Sequence, residues 1–221
     1  VFILCLLPLT GGYHMNLMKA ESPGPSVSKL VPKVQSTAKI LYTIYIILTI
    51  VEIIFLLIGK MPLFDTLCLS FGTAGTGGFG IKNDSIASYS TYNQVVITVF
   101  MILFGINFNL YYFLLLRKFK AFFKDEELRT YIGIIVISTA HIWLNVGGLY
   151  ASAGKGLENA LFEVANVITT TGFGITDLTI WPLFSQVILL ILMFIGGSAG
   201  STAGGLKVMR ALILKSEAKR L

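Results

Sequence analysis

The chain has 221 residues, 55% of them apolar and 13% charged, and its 17 basic against 11 acidic side chains give a net charge of +6. So apolar a balance falls outside the range of soluble domains and makes lipid the expected solvent. The two cysteines, Cys5 and Cys68, lie far apart in apolar segments and build neither a disulfide framework nor a metal site.

Taken in chain order, Val1 to Met18 is an uncharged apolar run. It has no initiator Met, no basic leading region and no small-residue cleavage site, so it reads as the end of a transmembrane helix rather than a secretory leader, and the chain as an internal fragment. The connection that follows carries Pro23, Gly24 and Pro25, which stop any helix. A crossing of hydrocarbon takes about 20 helical residues. Residues 40 to 59 meet that length with a single charge, Glu52; residues 95 to 116 and 131 to 150 have none, and 178 to 206 is an uncharged stretch of 29. Glu52 is expensive in a spanning helix and needs a partner or water. With its helix expected to end near Leu57, about one and a half turns on, it reads as lying close to the outer interface.

Between these spans lie two apolar segments too short to cross, Met61 to Ala74 and Gly156 to Ile168, a length that fits a re-entrant helix. Pro62 suits the opening turn of the first. Basic residues gather at Lys19 to Lys39, Arg117 to Arg129 and Lys207 to Arg220, while Lys60, Lys82 and Lys155 share the alternate connections with Asp65, Asp84, Glu158, Glu163 and Asp177. This alternation is the positive-inside pattern. It puts 19 to 39, 117 to 129 and the C-terminal end in the cytoplasm, puts 60 to 92 and 151 to 180 outside, and accounts for the net charge without nucleic acid as a partner.

The two outer connections resemble each other. Leu63 to Ile81 pairs with Leu157 to Ile175 at a constant offset of 94, matching Gly78-Phe79-Gly80-Ile81 with Gly172-Phe173-Gly174-Ile175. The helices that follow align at an offset of 92, Gln94 with Gln186, Met101 with Met193 and Gly105 with Gly197. The expected fold is therefore all-α and polytopic, a repeated helix, re-entrant pore helix, filter loop and helix. Duplications of this kind in membrane proteins usually surround a shared pore or binding site. Extended backbone within a membrane must be buried in protein or line a watery cavity. The runs Thr76-Gly77-Gly78-Phe79-Gly80 and Thr170-Thr171-Gly172-Phe173-Gly174 satisfy that condition by presenting carbonyl oxygens to a cation. The short helix before each run aims its negative end at the same place.

These strings resemble the T-V-G-Y-G filter of potassium channels with Phe in place of Tyr, and more closely the Trk/Ktr/HKT superfamily of potassium transporters. Ala20 to Pro25, Phe71 to Phe79, Thr169 to Phe173 and the run Phe194-Ile195-Gly196-Gly197-Ser198-Ala199-Gly200-Ser201-Thr202-Ala203-Gly204-Gly205-Leu206-Lys207 carry the resemblance nearly end to end. It implies four non-identical pore units in one polypeptide of a bacterial cytoplasmic membrane, with potassium as substrate and no cofactor in this chain. Residues 1–18 would close the first unit, 39–116 form the second and 129–216 the third, joined by cytoplasmic loops at 19–38 and 117–128 and followed by a tail at 217–221. The filter would be lined by Gly75, Thr76, Gly77 and Gly78 with Thr169, Thr170, Thr171 and Gly172. A gate would be made by Gly196, Gly197, Gly200, Ser201, Thr202, Gly204, Gly205 and Lys207, in a second helix broken inside the membrane. The resemblance also implies a homodimer, embedded in lipid, with a cytoplasmic nucleotide-binding regulatory subunit.

Blander readings stand beside these. Gly196-xxx-Gly200-xxx-Gly204 is also the spacing of a close helix contact, although five glycines within ten positions, each costing about 1 kcal/mol in a helix interior, favour a break. Gly75 to Gly80 matches a dinucleotide fingerprint, but apolar membrane segments flank it instead of a strand and an amphipathic helix. His141 and Asn145 read as structural, Glu163 as a hydrogen-bonding partner of nearby backbone, and Asn107 and Asn109 as either structural or pore-facing. Tyr111-Tyr112 and Phe122-Phe123 read as interface anchors. No nucleophile, acid and base pair or metal cluster is present, so an enzyme is not expected. A sodium-permeable protein or a cation-coupled secondary transporter is the alternative.

Overall fold

The computed structural model describes residues 34 to 218. The expectations for residues 1–18, for nearly all of the 19–38 loop and for the last three positions lie outside the described residues. Within that range the chain is helical, with no strand among the described residues. The first unit of structure is helix α1 (Val34–Ile58), a short helix α2 (Leu63–Ala74) and a pair, α3 (Thr91–Phe104) and α4 (Phe108–Leu115). After the short α5 (Phe119–Lys124), the pattern returns as α6 (Glu126–Val146), short α7 (Ala153–Ile168) and another pair, α8 (Leu183–Ile195) and α9 (Val208–Ala218). Lys39–Ile58 and Glu126–Leu149 are each long and apolar enough to cross a membrane, and the α3–α4 pair makes a third span if its two helices are counted together.

The helix starts follow local chemistry. Pro62 and Pro182 precede α2 and α8, where an amide would have no intrahelical partner. Ser90, Asp125 and Ser152 cap α3, α6 and α7 by accepting from Asn93, Leu128 and Lys155 amides at 3.3, 2.8 and 3.2 Å. Gln94 donates to the Ile86, Ala87 and Tyr89 carbonyls, and Gln186, its counterpart in the repeat, to those of Leu178 and Trp181. Both glutamines thus pin the return loop that brings the chain from short helix to second helix.

Two apolar cores form, and each borrows from the other repeat. Leu56, Leu69, Ile97, Met101 and Phe104 pack with Phe162, Ala165 and Phe173; Tyr131, Ile142, Val164, Ile168 and Leu192 pack with Ile106 and Leu110. Large apolar side chains left on the outside, among them Ile47, Ile54, Ile58, Leu190, Ile191 and Phe194, suit hydrocarbon.

Residues 95–116 have the length of one crossing, but the backbone turns by 91° between α3 and α4. The cause is a stretch of backbone from the other repeat. Ser198 and Thr202 amides donate to the Gly105 and Phe104 carbonyls (3.0 and 3.3 Å), and the Phe108 amide to the Gly200 carbonyl (3.1 Å), so groups that would continue the helix are satisfied from the other repeat. Asn107 caps the restarted helix by accepting from the Asn109 amide at 3.0 Å.

Candidate functional site

After α2 and α7 the chain makes the same turn twice. Gly75, Thr76 and Gly77 amides donate to the Phe71, Thr73 and Gly72 carbonyls at 2.9, 3.1 and 2.8 Å. Thr169, Thr170 and Thr171 amides donate to Ala165, Val167 and Asn166 at 3.1, 3.1 and 2.9 Å, the same three bonds 94 positions later. The backbone then alternates in hand. Thr76 and Gly78 have φ of 49° and 64°, Thr170 and Gly172 of 56° and 92°, while Gly77 and Thr171 between them stay outside the left-handed region. Alternation of this kind turns successive carbonyls toward one side, and it is costly for a non-glycine residue, of order 1–3 kcal/mol at each threonine. A conformation that expensive, adopted at matched positions in two repeats, is held by its surroundings.

The two loops meet. A Cβ built on Gly78 would lie 2.6 Å from the Gly172 carbonyl carbon and closer still to the Thr171 carbonyl oxygen. Only glycine permits both the positive φ and this approach.

What holds the loops differs between them. In the second loop the buried Asn166 side chain accepts from the Gly172 and Phe173 amides, each at 2.8 Å, and donates to the Phe173 carbonyl and to Glu163 Oε2. Glu163 accepts from the Ile175 amide at 3.3 Å. Its expected bond to nearby backbone is present. At the position of Asn166 the first loop has Gly72, and the space beside Gly72 is taken by the Phe173 ring, whose Cζ lies 3.1 Å from where a Cβ would stand. Phe173 is 3% exposed there, whereas its counterpart Phe79 is 81% exposed.

The run rich in glycine interrupts the helix pair α8 and α9 from Gly196 to Lys207. Its ends pinch together, since the Leu206 amide donates to Phe194 and that of Val208 to Gly197, both at 3.0 Å, and a Cβ on Gly205 would stand 2.6 Å from the Gly196 Cα. The residues between form an excursion rather than a helix, so the small-residue spacing makes no helical stripe. That excursion rests against both pore loops. Thr76 Oγ1 donates to the Thr202 carbonyl at 3.0 Å and the Gly204 amide to Thr170 Oγ1 at 2.8 Å, with Thr76 and Thr170 again at matched positions. Ser201 Oγ donates to the Ser198 carbonyl at 2.6 Å, and the Lys207 ammonium to the Ala203 carbonyl.

The remaining polar residues sort themselves. Asn145 donates to Ser185 Oγ at 2.9 Å, joining α6 to α8, and His141 bonds the Ile137 carbonyl of its own helix at 2.8 Å. Both are structural. Tyr111 donates to the Leu103 carbonyl at 2.7 Å across the bend and so turns inward instead of anchoring an interface. Glu52 lies about one and a half turns before the end of α1 at Ile58, and it is fully buried with no hydrogen-bonding partner on either oxygen, on the side of α1 that faces Thr73 of α2. The Thr73 hydroxyl is already given to the Leu69 carbonyl at 2.9 Å. Glu127, which no sequence feature marked, is 2% exposed and accepts from the Ala199 amide at 2.6 Å. The signal available was slight, an acid in the first helical turn beside two others.

Two re-entrant helices, each ending in an alternating-hand backbone loop and each followed by a broken helix, define a multi-pass membrane protein of the duplicated pore-loop class. Residues 1–220 match the family model for TrkH, a cation transport protein, and the chain belongs to that family. It is 38% identical to the Trk system potassium uptake protein TrkH of Salmonella typhimurium over 227 residues, covering 100% of this chain and 47% of that one. With the Trk system potassium uptake protein TrkG of Escherichia coli the identity is 33%, over 99% of this chain and 46% of the other. The crystal structure of the potassium transporter TrkH from Vibrio parahaemolyticus superimposes with a TM-score of 0.82 at 34% identity, covering 92% of this chain and 45% of that one. The chain thus spans about half the length of the curated relatives it matches.

Proposed function

We propose that the protein containing this chain carries potassium across a bacterial cytoplasmic membrane through a filter of backbone carbonyls. Gly75 to Gly78 and Thr169 to Gly172 would supply two of its four walls, in units spanning 39–116 and 129–216. The observation that carries this reading is the matched alternation of φ at Thr76 and Gly78 and at Thr170 and Gly172. A ring of such oxygens replaces the hydration shell of a potassium ion, and carbonyl dipoles reject anions. The exposed Phe79 supports a further wall: its counterpart Phe173 is buried against the short helix of the neighbouring unit, so Phe79 is free to pack in the same way on another.

Gly196 to Lys207 would serve as the gate, because a segment tied to the filter threonines lies against the ion path until it moves. The family resemblance extends the proposal to a homodimer controlled by a cytoplasmic nucleotide-binding subunit. The basic stretches 117–129 and 207–220 suit such a contact.

The test is growth of a potassium-uptake-deficient bacterium at limiting potassium, complemented by the complete reading frame or by its Gly172→Ser variant. At Gly172 a side chain would have room, its nearest neighbour being the Gly78 Cα at 3.9 Å, but φ of 92° strains any residue other than glycine. The expected result is rescue by the wild type and loss of potassium over sodium preference in the variant. Equal potassium and sodium uptake ratios in the two proteins would refute the filter assignment.

A further inference from the structure

We propose that Glu127 is the positioning residue that holds the Gly196 to Lys207 segment in place against the pore loops. The inference rests on reading that segment as the obstruction in the path. Three consecutive acids open α6, and they divide the work. Asp125 caps the helix through the Leu128 amide, and Glu126 is exposed, as an acid serving only the helix dipole would be. Glu127 alone is turned inward and buried.

Burying a carboxylate is expensive unless it is hydrogen-bonded and paired. Its surroundings come from three separate pieces of the chain. The Ala199 amide, the donor of its hydrogen bond at 2.6 Å, lies near the start of the segment. The Met209 amide, in the first turn of α9 just beyond the segment's end, and the Asn107 side chain, at the bend between α3 and α4, are close enough to act on its charge. The Lys207 charge is within its electrostatic reach. One carboxylate thus gathers both ends of the excursion and the groove in which it lies. A side chain needed only for packing would be apolar at this position, and one needed only for α6 would not reach Ala199. For the segment to swing away, the bond to Ala199 must break.

The experiment uses the full-length protein in vesicles, with potassium uptake measured in the absence of any cytoplasmic partner, alongside hydrogen exchange of the 197–209 backbone. Glu127→Ala is expected to raise this unregulated uptake about tenfold, the shift that loss of one charge-assisted hydrogen bond gives a two-state equilibrium. Exchange at Ala199 and Met209 should rise with it, and the potassium to sodium ratio should stay at the wild-type value. Glu127→Gln keeps an acceptor oxygen but not the charge, so an intermediate rise is expected; it carries the test if the alanine variant does not accumulate in the membrane. Wild-type uptake and wild-type exchange in the variant that folds would overturn the proposal. Failure of the filter reading shows separately, as an unchanged ion ratio in Gly172→Ser.

Discussion

Replacing Gly78 with alanine is expected to abolish potassium-dependent growth, where the same change at Gly172 leaves part of it. The two glycines are equivalent in sequence and both sit at positive φ, so conformational strain, about 1–3 kcal/mol for an L residue, is common to both. What separates them is space. The new methyl at Gly78 would overlap the Thr171 carbonyl oxygen and the Gly172 backbone, atoms that cannot rotate out of the way; at Gly172 its nearest neighbour is 3.9 Å off. Overpacking adds about 1–3 kcal/mol more, and here it falls on the backbone of the loops proposed to line the filter. Measured side by side at equal membrane expression, Gly78→Ala should be the more severe in both uptake and thermal stability. Equal severity would mean that the loops do not approach as closely as described.

Much of this was legible in the sequence, for identifiable reasons. The short helices declared themselves as apolar runs too brief to cross, and their ends were read within a few residues, Met61 to Ala74 against Leu63–Ala74 and Gly156 to Ile168 against Ala153–Ile168. The break after Ile195 was written in the crowding of glycines. The break after Phe104 was not, because α3 and α4 contain no comparable run; it is imposed by carbonyl and amide groups of the excursion, a tertiary effect with no local signature. The aligned pair Gly105 and Gly197 was the one hint, and these residues prove to lie against each other, with the Gly105 carbonyl 3.3 Å from a Cβ on Gly197. Glu127 escaped for a similar reason. A first-turn acid is ordinary on a helix, and only the fold reveals that this one points inward.

The repeat also concealed a division of labour. Leu63 to Ile81 and Leu157 to Ile175 match, yet at one aligned position the residue is Gly72 and at the other Asn166. The first loop is propped from outside by the Phe173 ring, the second from inside by an amide. Each unit therefore depends on its neighbour to a different degree.

Asn166→Leu is expected to cost the protein its ion preference and several kcal/mol of stability while leaving the helices in place. Leucine has the same branching at Cγ, with more bulk, but strands four groups at once: the Gly172 and Phe173 amides, the Phe173 carbonyl and Glu163 Oε2. A buried group left unsatisfied costs about 1–3 kcal/mol, so even partial rescue by water leaves a large deficit. Asn166→Asp separates the bond to the amides from the rest. Its carboxylate still accepts from Gly172 and Phe173, but it can no longer donate, and it faces the Phe173 carbonyl and the Glu163 carboxylate across distances set for a donor, 3.2 Å for the latter. Like charges at that separation repel strongly in a site shielded from water. Pairing Asn166→Asp with Glu163→Gln restores one donor, and the double variant should recover part of the potassium over sodium preference that Asn166→Asp loses. If the single Asp variant discriminates the two ions as well as wild type does, the Asn166 side chain does not set the geometry of the loop.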